Sequence, residues 1–252
     1  MDEQTPVTTE PAKPMSFTDK MINIFAAPGE LFEDVRLTPP TMSNWLVPML
    51  LFIVVAFLMA QVMFMNPSIL SQMTDLVTSS IDKMVAEGRL TPEQAEQAIN
   101  MSKPGSGMFM IQQVVGILIL TPVVLFLLSL IYWLLGKWGM KATAPFMKVV
   151  EVIGLTFFIS IAESIVTTIL MFVMDSITAT PSLGAFVSGF DYENKLHMAL
   201  AKINIFTFWD LTVVSIGLSR LFQRHLPKVL VIVFALWIVW TVFAVMMGIR
   251  TS

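Results

Sequence analysis

Two carboxylates stand where an apolar chain least tolerates them. Asp210 sits near the middle of the stretch 203–221, INIFTFWDLTVVSIGLSRL, and Glu163 near the middle of 149–174. A carboxylate at the centre of a bilayer costs ~2.5–3.5 kcal/mol on insertion scales, so such an acid faces protein and has a partner or a task. Thr156, Ser160, Glu163 and Thr167 recur at helical spacing and give one face of 149–174 a polar stripe, with Ile161, Ile165 and Ile169 toward lipid. Helices joined by a single loop run antiparallel, which is expected to bring Glu163 and Asp210 to equal depth as one coupled site. Two chemistries fit that pair. The acids could exchange a proton or cation. They could equally hydrogen-bond Thr156, Ser160, Thr167 and Thr207 and join helices, at ~0.6–2 kcal/mol per bond.

The other chemically capable residues are few. Asp191, Glu193 and His197 combine an i, i+4 pair with a nearby acid, a weak metal-binding pattern that an interfacial polar helix explains better. Residues 220–228, RLFQRHLPK, concentrate Arg220, Arg224, His225 and Lys228 in a short connection, which suits anionic lipid headgroups or an acidic partner as well as a solvated loop. Trp209, Trp237 and Trp240 lie mid-span and read as packing between the fourth and fifth spans. No phosphate loop, nucleophile elbow, nucleotide fingerprint or zinc-protease motif occurs, so neither an enzyme nor a metal or other cofactor is expected.

The elements that must position these residues follow from composition. Hydrophobic residues make up 56% and charged ones 13%, with mean hydropathy +0.77, outside the range of soluble domains. The expected fold class is all-α, a polytopic membrane bundle. Spans are read at 45–65, 108–135, 149–174, 203–221 and 229–249, each near the ~20 residues needed to cross the hydrocarbon. Pro122 should kink the second span and leave carbonyls around Leu118 without partners, which requires that site to be buried. Glu151 is expected to reach the interface, leaving Glu163 alone to be accommodated at depth.

Residues 1–14 read as a disordered tail. In 15–40, Phe17, Met21, Ile24 and Phe25 share one helical face behind a Ser16 cap, with Asp19, Lys20 and Asn23 opposite; Pro28 opens a second short helix. These helices are read either as lying on the membrane or as packing on the bundle. The domain 41–249 holds the spans and, at 69–101, a helical hairpin broken at Gly88 and restarted by Thr91-Pro92. A further short helix is read at 191–200. Lys137, Lys141 and Lys148 in one short loop, and Arg220, Arg224 and Lys228 in another, fall on the side of the amino terminus. The positive-inside rule therefore places that terminus in the cytoplasm, with the carboxyl terminus and the hairpin outside.

The segment FAAPGELFEDV at 25–35, the Trp45-initiated first span, the five-span pattern and NIFTFWDLTVVSIGL at 204–218 together resemble the Yip1-domain membrane proteins, in particular their bacterial branch. The resemblance covers most of 17–249 and implies a bacterial inner-membrane location. The eukaryotic relatives' link to small GTPases and vesicle traffic carries over poorly, because their long amino-terminal domain is here a short tail. Two function classes follow. The first is a non-enzymatic scaffold or adaptor that binds headgroups or proteins through Phe17, Met21, Ile24, Phe25, Arg220, Arg224 and Lys228. The alternative is a proton- or cation-coupled small-solute carrier using Glu163 and Asp210. Expected partners are membrane lipids, proteins or further copies of the chain, and no nucleic acid.

Overall fold

The computed structural model describes residues 14–103 and 106–249. The tail reading for 1–14 therefore lies, but for Pro14, outside the described residues. Among the described residues ten α-helices occur: α1 Phe17–Ala26, α2 Pro28–Leu37, α3 Ser43–Phe64, α4 Pro67–Ala86, α5 Pro92–Ser102, α6 Gly107–Leu134, α7 Phe146–Met174, α8 Lys195–Lys202, α9 Ile205–Phe222 and α10 Leu226–Met246. The fold is all-α, and α3, α6, α7, α9 and α10 are long and apolar enough to cross a membrane.

Local chemistry starts most of these helices. Ser16 and Asp19 form a reciprocal capping box on α1, and Pro28 occupies the first turn of α2, where its missing N–H matters least. Asn66 accepts the N–H groups of Ser68 and Ile69 to open α4, Thr91 and Gln94 box α5, and Asn194 and Asn204 cap α8 and α9. By contrast, α7 begins after Pro145 with no side-chain cap. The span of α6 runs on through a π-helical turn, Leu135–Gly139, in which Gly136 lets the Phe222 ring approach.

The bundle is built around α7, which packs against α3, α6 and α9, while α1 and α2 close its amino-terminal end and α10 lies on α9. Helices approach closely where side chains are absent. A Cβ on Gly154 would collide with Trp45, and one on Gly217 would meet Val152 at 2.6 Å and Phe32 at 3.1 Å. Burial concentrates toward this end: Val149, Val150, Leu155, Ile24, Leu31 and Val35 are inaccessible, whereas Ile165 and Ile169 farther along α7 are exposed. Ile161, read as lipid-facing, instead packs against the core.

Aromatic contacts fix the depth of α1. Phe17 meets Phe158 at 6.0 Å and Phe25 meets Trp209 at 5.4 Å between ring centroids. Phe158 is about 18 Å along α7 from its first residue, so α1 lies beside the spans and not above them. Met21, Ile22 and Phe25 keep an exposed outer face there. Of the two readings of this helix, packing on the bundle is what the contacts show, with the outer face left exposed.

Three sequence readings change. Lys20, assigned to the polar side of α1, is buried, because it pairs with Asp34 at 3.2 Å and reaches Asn44. Glu151 does not extend to solvent: it is inaccessible, held by Lys148 at 2.8 Å and by the Thr41 N–H of the α2–α3 link. The proline site in α6 is only partly covered, for Leu118, Ile119 and Val123 are exposed while Ile117, Thr121 and Leu125 turn inward. The proline ring itself occupies the space over the carbonyl four residues earlier.

Candidate functional site

The two intramembrane acids are near each other but not paired. Glu163 accepts a hydrogen bond of 2.6 Å from Asn204 Nδ2, and Asn204 is also the cap of α9. Asp210, the sixth residue of α9, lies farther along, opposite Thr156, with Glu163 and Tyr132 within electrostatic reach. The register of α7 and α9 therefore sets Glu163 against Asn204 and Asp210 against Thr156, a separation of nearly two helical turns along the axes. Equal depth fails because α9 begins level with Glu163, at the Asn204 cap, so that Asp210, six residues after the cap, is displaced from Glu163 toward the amino-terminal end of the bundle. Asp210 Oδ1 is sealed from solvent and lacks a hydrogen-bond partner.

The polar stripe is only partly used. Thr156 is buried, donates to the Ile153 carbonyl at 3.0 Å and interacts with Asp210. Ser160 and Thr167 form no side-chain hydrogen bond to either acid among the described residues. Thr207 instead lines a cleft of about 260 Å³ with Lys202, Asn204, Trp237 and Trp240. Burial in this region pulls the Lys202 ammonium below its ordinary pKa. Sequence reasoning missed Asn204 and Tyr132. Asn204 could have been found as a cap residue directly before an apolar run; Tyr132 carries no signal in spacing.

The amino-terminal face is the second candidate. Asp34 accepts the Met15 N–H at 2.9 Å besides pairing with Lys20. Lys148 donates to the Val35 carbonyl at 2.6 Å and to Glu151, whose other oxygen accepts the Thr41 N–H. Both ion pairs are almost inaccessible. They tie α1, α2 and the α2–α3 link to α7, so the fold of this end depends on charges that have no water to retreat to. Farther out, Arg36 holds Glu33 at 2.5 Å, and that hydrogen bond, with Arg220 adding its charge, keeps the Glu33 carboxyl below the usual range.

The cations of the basic connections have different surroundings. Arg220 lies over Gly29, and Lys228 is exposed and lines neither the cleft at Thr207 nor the cavity beside Arg224. Arg224 reaches back to the Met140 carbonyl at 2.9 and 2.7 Å and lines a cavity of about 400 Å³ with Arg36, Lys141 and Lys148. Of the apolar contact residues named above, Ile24 is inaccessible and Phe17 half-buried, which leaves Met21 and Phe25 facing outward. Asp191, Glu193 and His197 are spent on local structure: Asp191 N–H donates to His197 Nδ1 at 3.0 Å, Glu193 N–H donates to Asp191, and Glu193 pairs with Lys83 at 2.8 Å.

Trp209 packs on Phe25 and Phe206, and Trp237 on Phe208 between α9 and α10. No curated protein and no solved structure matches the chain. The Yip1 domain model matches residues 22–249, nearly the whole chain, and the protein therefore belongs to the Yip1 domain family of membrane proteins.

Proposed function

We propose that this protein is a non-enzymatic membrane scaffold or adaptor that presents its amino-terminal face, on the cytoplasmic side, to lipid headgroups and to partner proteins. The observation that carries this reading is the prebuilt character of that face. Two buried ion pairs and the close packing of Phe32 over Gly217 hold α1 and α2 in one arrangement, with Met21, Ile22 and Leu37 exposed around it. A rigid surface binds at lower ordering cost than a flexible one.

A photo-crosslinking residue at Met21, Ile22 or Leu37 should yield one discrete adduct in native membranes, and the same residue at Ile169 should yield lipid adducts. Smears of equal intensity at all four positions would defeat the adaptor reading. Orientation is tested in the same cells: Cys introduced at Thr143 or Gln223 should resist an impermeant thiol reagent added outside, and Cys at Ser102 should react.

The carrier reading keeps one specific observation in its favour, the partnerless Asp210 Oδ1 near a Glu163 that Asn204 connects to the α8–α10 cleft. Glu163→Gln and Asp210→Asn preserve shape while fixing the neutral state. Proteoliposome flux of protons, cations or a solute that disappears in these folded variants would favour the carrier; unchanged, flux-free behaviour favours the scaffold.

A further inference from the structure

We infer that the cavity bounded by the α2–α3 link, the α6–α7 loop and the α9–α10 loop is a binding site for a phosphoryl group, that of an anionic phospholipid headgroup. This deepens the scaffold reading by naming a ligand class for its face.

The argument begins with charge. Arg36, Lys141, Lys148 and Arg224 line the cavity, and no acidic residue does. Glu33 offsets Arg36 and Glu151 offsets Lys148. Lys141 has no carboxylate partner among the described residues. Arg224 is satisfied by the carbonyls of Met140, Gln223 and Lys141, which hold its guanidinium in place without cancelling its charge. Two cations are thus left unopposed in one half-open cleft of about 400 Å³, room for a phosphodiester with part of its glycerol.

The backbone around the cavity is specialised as well. Three non-glycine residues among those described have positive φ, and two of them, Lys141 at 52° and Gln223 at 52°, line this cavity. Gln223 takes this conformation as the left-handed C-cap of α9, so it is Lys141, in the loop itself, whose costly conformation the surrounding structure must enforce. The π-helical turn Leu135–Gly139 feeds directly into Lys141, because the Met140 and Ala142 N–H groups both donate to the Gly136 carbonyl. Pro145 also lines the cavity, so the uncapped amino terminus of the long helix α7 adds its positive dipole end.

Position selects the source of the phosphoryl group. The cavity lies at the ends of three apolar spans, where α6 finishes, α7 starts and α9 finishes, which is headgroup level in a bilayer. Trp138, in the π turn beside it, is largely exposed, as expected of an interfacial aromatic. A headgroup is therefore delivered to this cavity by the membrane itself, whereas a soluble phosphate must compete for it from dilute solution.

The test uses the full-length protein, delipidated in neutral detergent and titrated with phosphatidylglycerol or phosphatidylcholine while bound lipid is counted by native mass spectrometry. Phosphatidylglycerol should be retained preferentially, and Lys141→Gln and Arg224→Gln should each weaken it about fivefold. Lys228→Gln, a cation on the same face but outside the cavity, should leave retention unchanged. Lys141 is exposed and unpaired, so its variant keeps the test valid even where loss of Arg224 loosens the loops. Equal losses from Lys141→Gln and Lys228→Gln would reduce the effect to diffuse surface attraction and overturn the site. Retention of both lipids alike would overturn it too. Inorganic phosphate at millimolar concentration that protects the protein thermally through Lys141, with no lipid preference, would reassign the cavity to a soluble anion. Discrete cross-links from Met21 or Ile22 are read separately, so the adaptor can survive failure of this site and the site can survive failure of the adaptor.

Discussion

The two ends of the bundle are held by different chemistry. At the amino-terminal end, Lys20–Asp34 and Lys148–Glu151 are ion pairs shut away from solvent among fully buried aliphatic side chains. At the hairpin end, Asn66 donates to Asp175 Oδ1 at 2.7 Å, Gln72 donates to the Asp175 carbonyl at 2.7 Å and accepts the Ile177 N–H, and the ion pair Lys83–Glu193 is half exposed. Hydrogen bonds and ion pairs open to water exchange at little net cost, but a buried charge that loses its partner has nothing to replace it. The first arrangement fixes one conformation. The second permits local opening.

That contrast is tested first by removing charges singly. Glu151→Ala should cost roughly 3–5 kcal/mol and lower the melting temperature in detergent sharply, because Lys148 is left buried and unpaired. Replacing Lys148 and Glu151 together by Met and Leu should recover most of the loss. The matching change at the other end, Glu193→Ala, should cost about 1 kcal/mol or less. Equal penalties at the two ends would erase the distinction.

Steric changes come next. Gly217→Ala should destabilise by about 1–3 kcal/mol by forcing α9 away from Val152 and Phe32, seen as protease sensitivity of α1 and α2. Asn66→Ala should cost about 1–2 kcal/mol through loss of the α4 cap, with proteolysis confined to the hairpin.

The smallest effect concerns pH. Glu33 has a lowered pKa in the folded protein, so its contribution is present above the ordinary glutamate range and is lost as pH falls through the folded value. Because the pair is partly exposed, Glu33→Gln should change stability near neutral pH by less than about 1 kcal/mol and flatten the acid limb of a melting curve. An unchanged acid limb would show that Glu33 adds nothing at this end.

Much of the architecture was legible because hydropathy reports directly on lipid contact. The five spans and the all-α class need no more than apolar run lengths. That Glu163 and Asp210 fall within two of these spans was legible for the same reason. Their offset was not, since it depends on where Asn204 starts α9, a choice between caps only a few residues apart. Lys20 and Glu151 misled for a common reason. Periodicity treats a charge as a solvent marker, and it cannot see a partner from another helix that makes burial tolerable. The cavity at Lys141 was invisible to it as well, because three separate connections supply the walls.

The depth of α1 also bears on how the chain is assembled. Phe17 and Phe25 are synthesised first, yet the surfaces they rest on, Phe158 and Trp209, belong to the third and fourth spans. Until those spans enter the membrane, α1 has only the lipid interface to shelter its apolar face, and Lys20 has Asp34 and Asn44 but no covering bundle. Closure of this end must follow insertion of α9, so a nascent chain halted before the fourth span should expose α1 to protease and become protected only once translation has passed it.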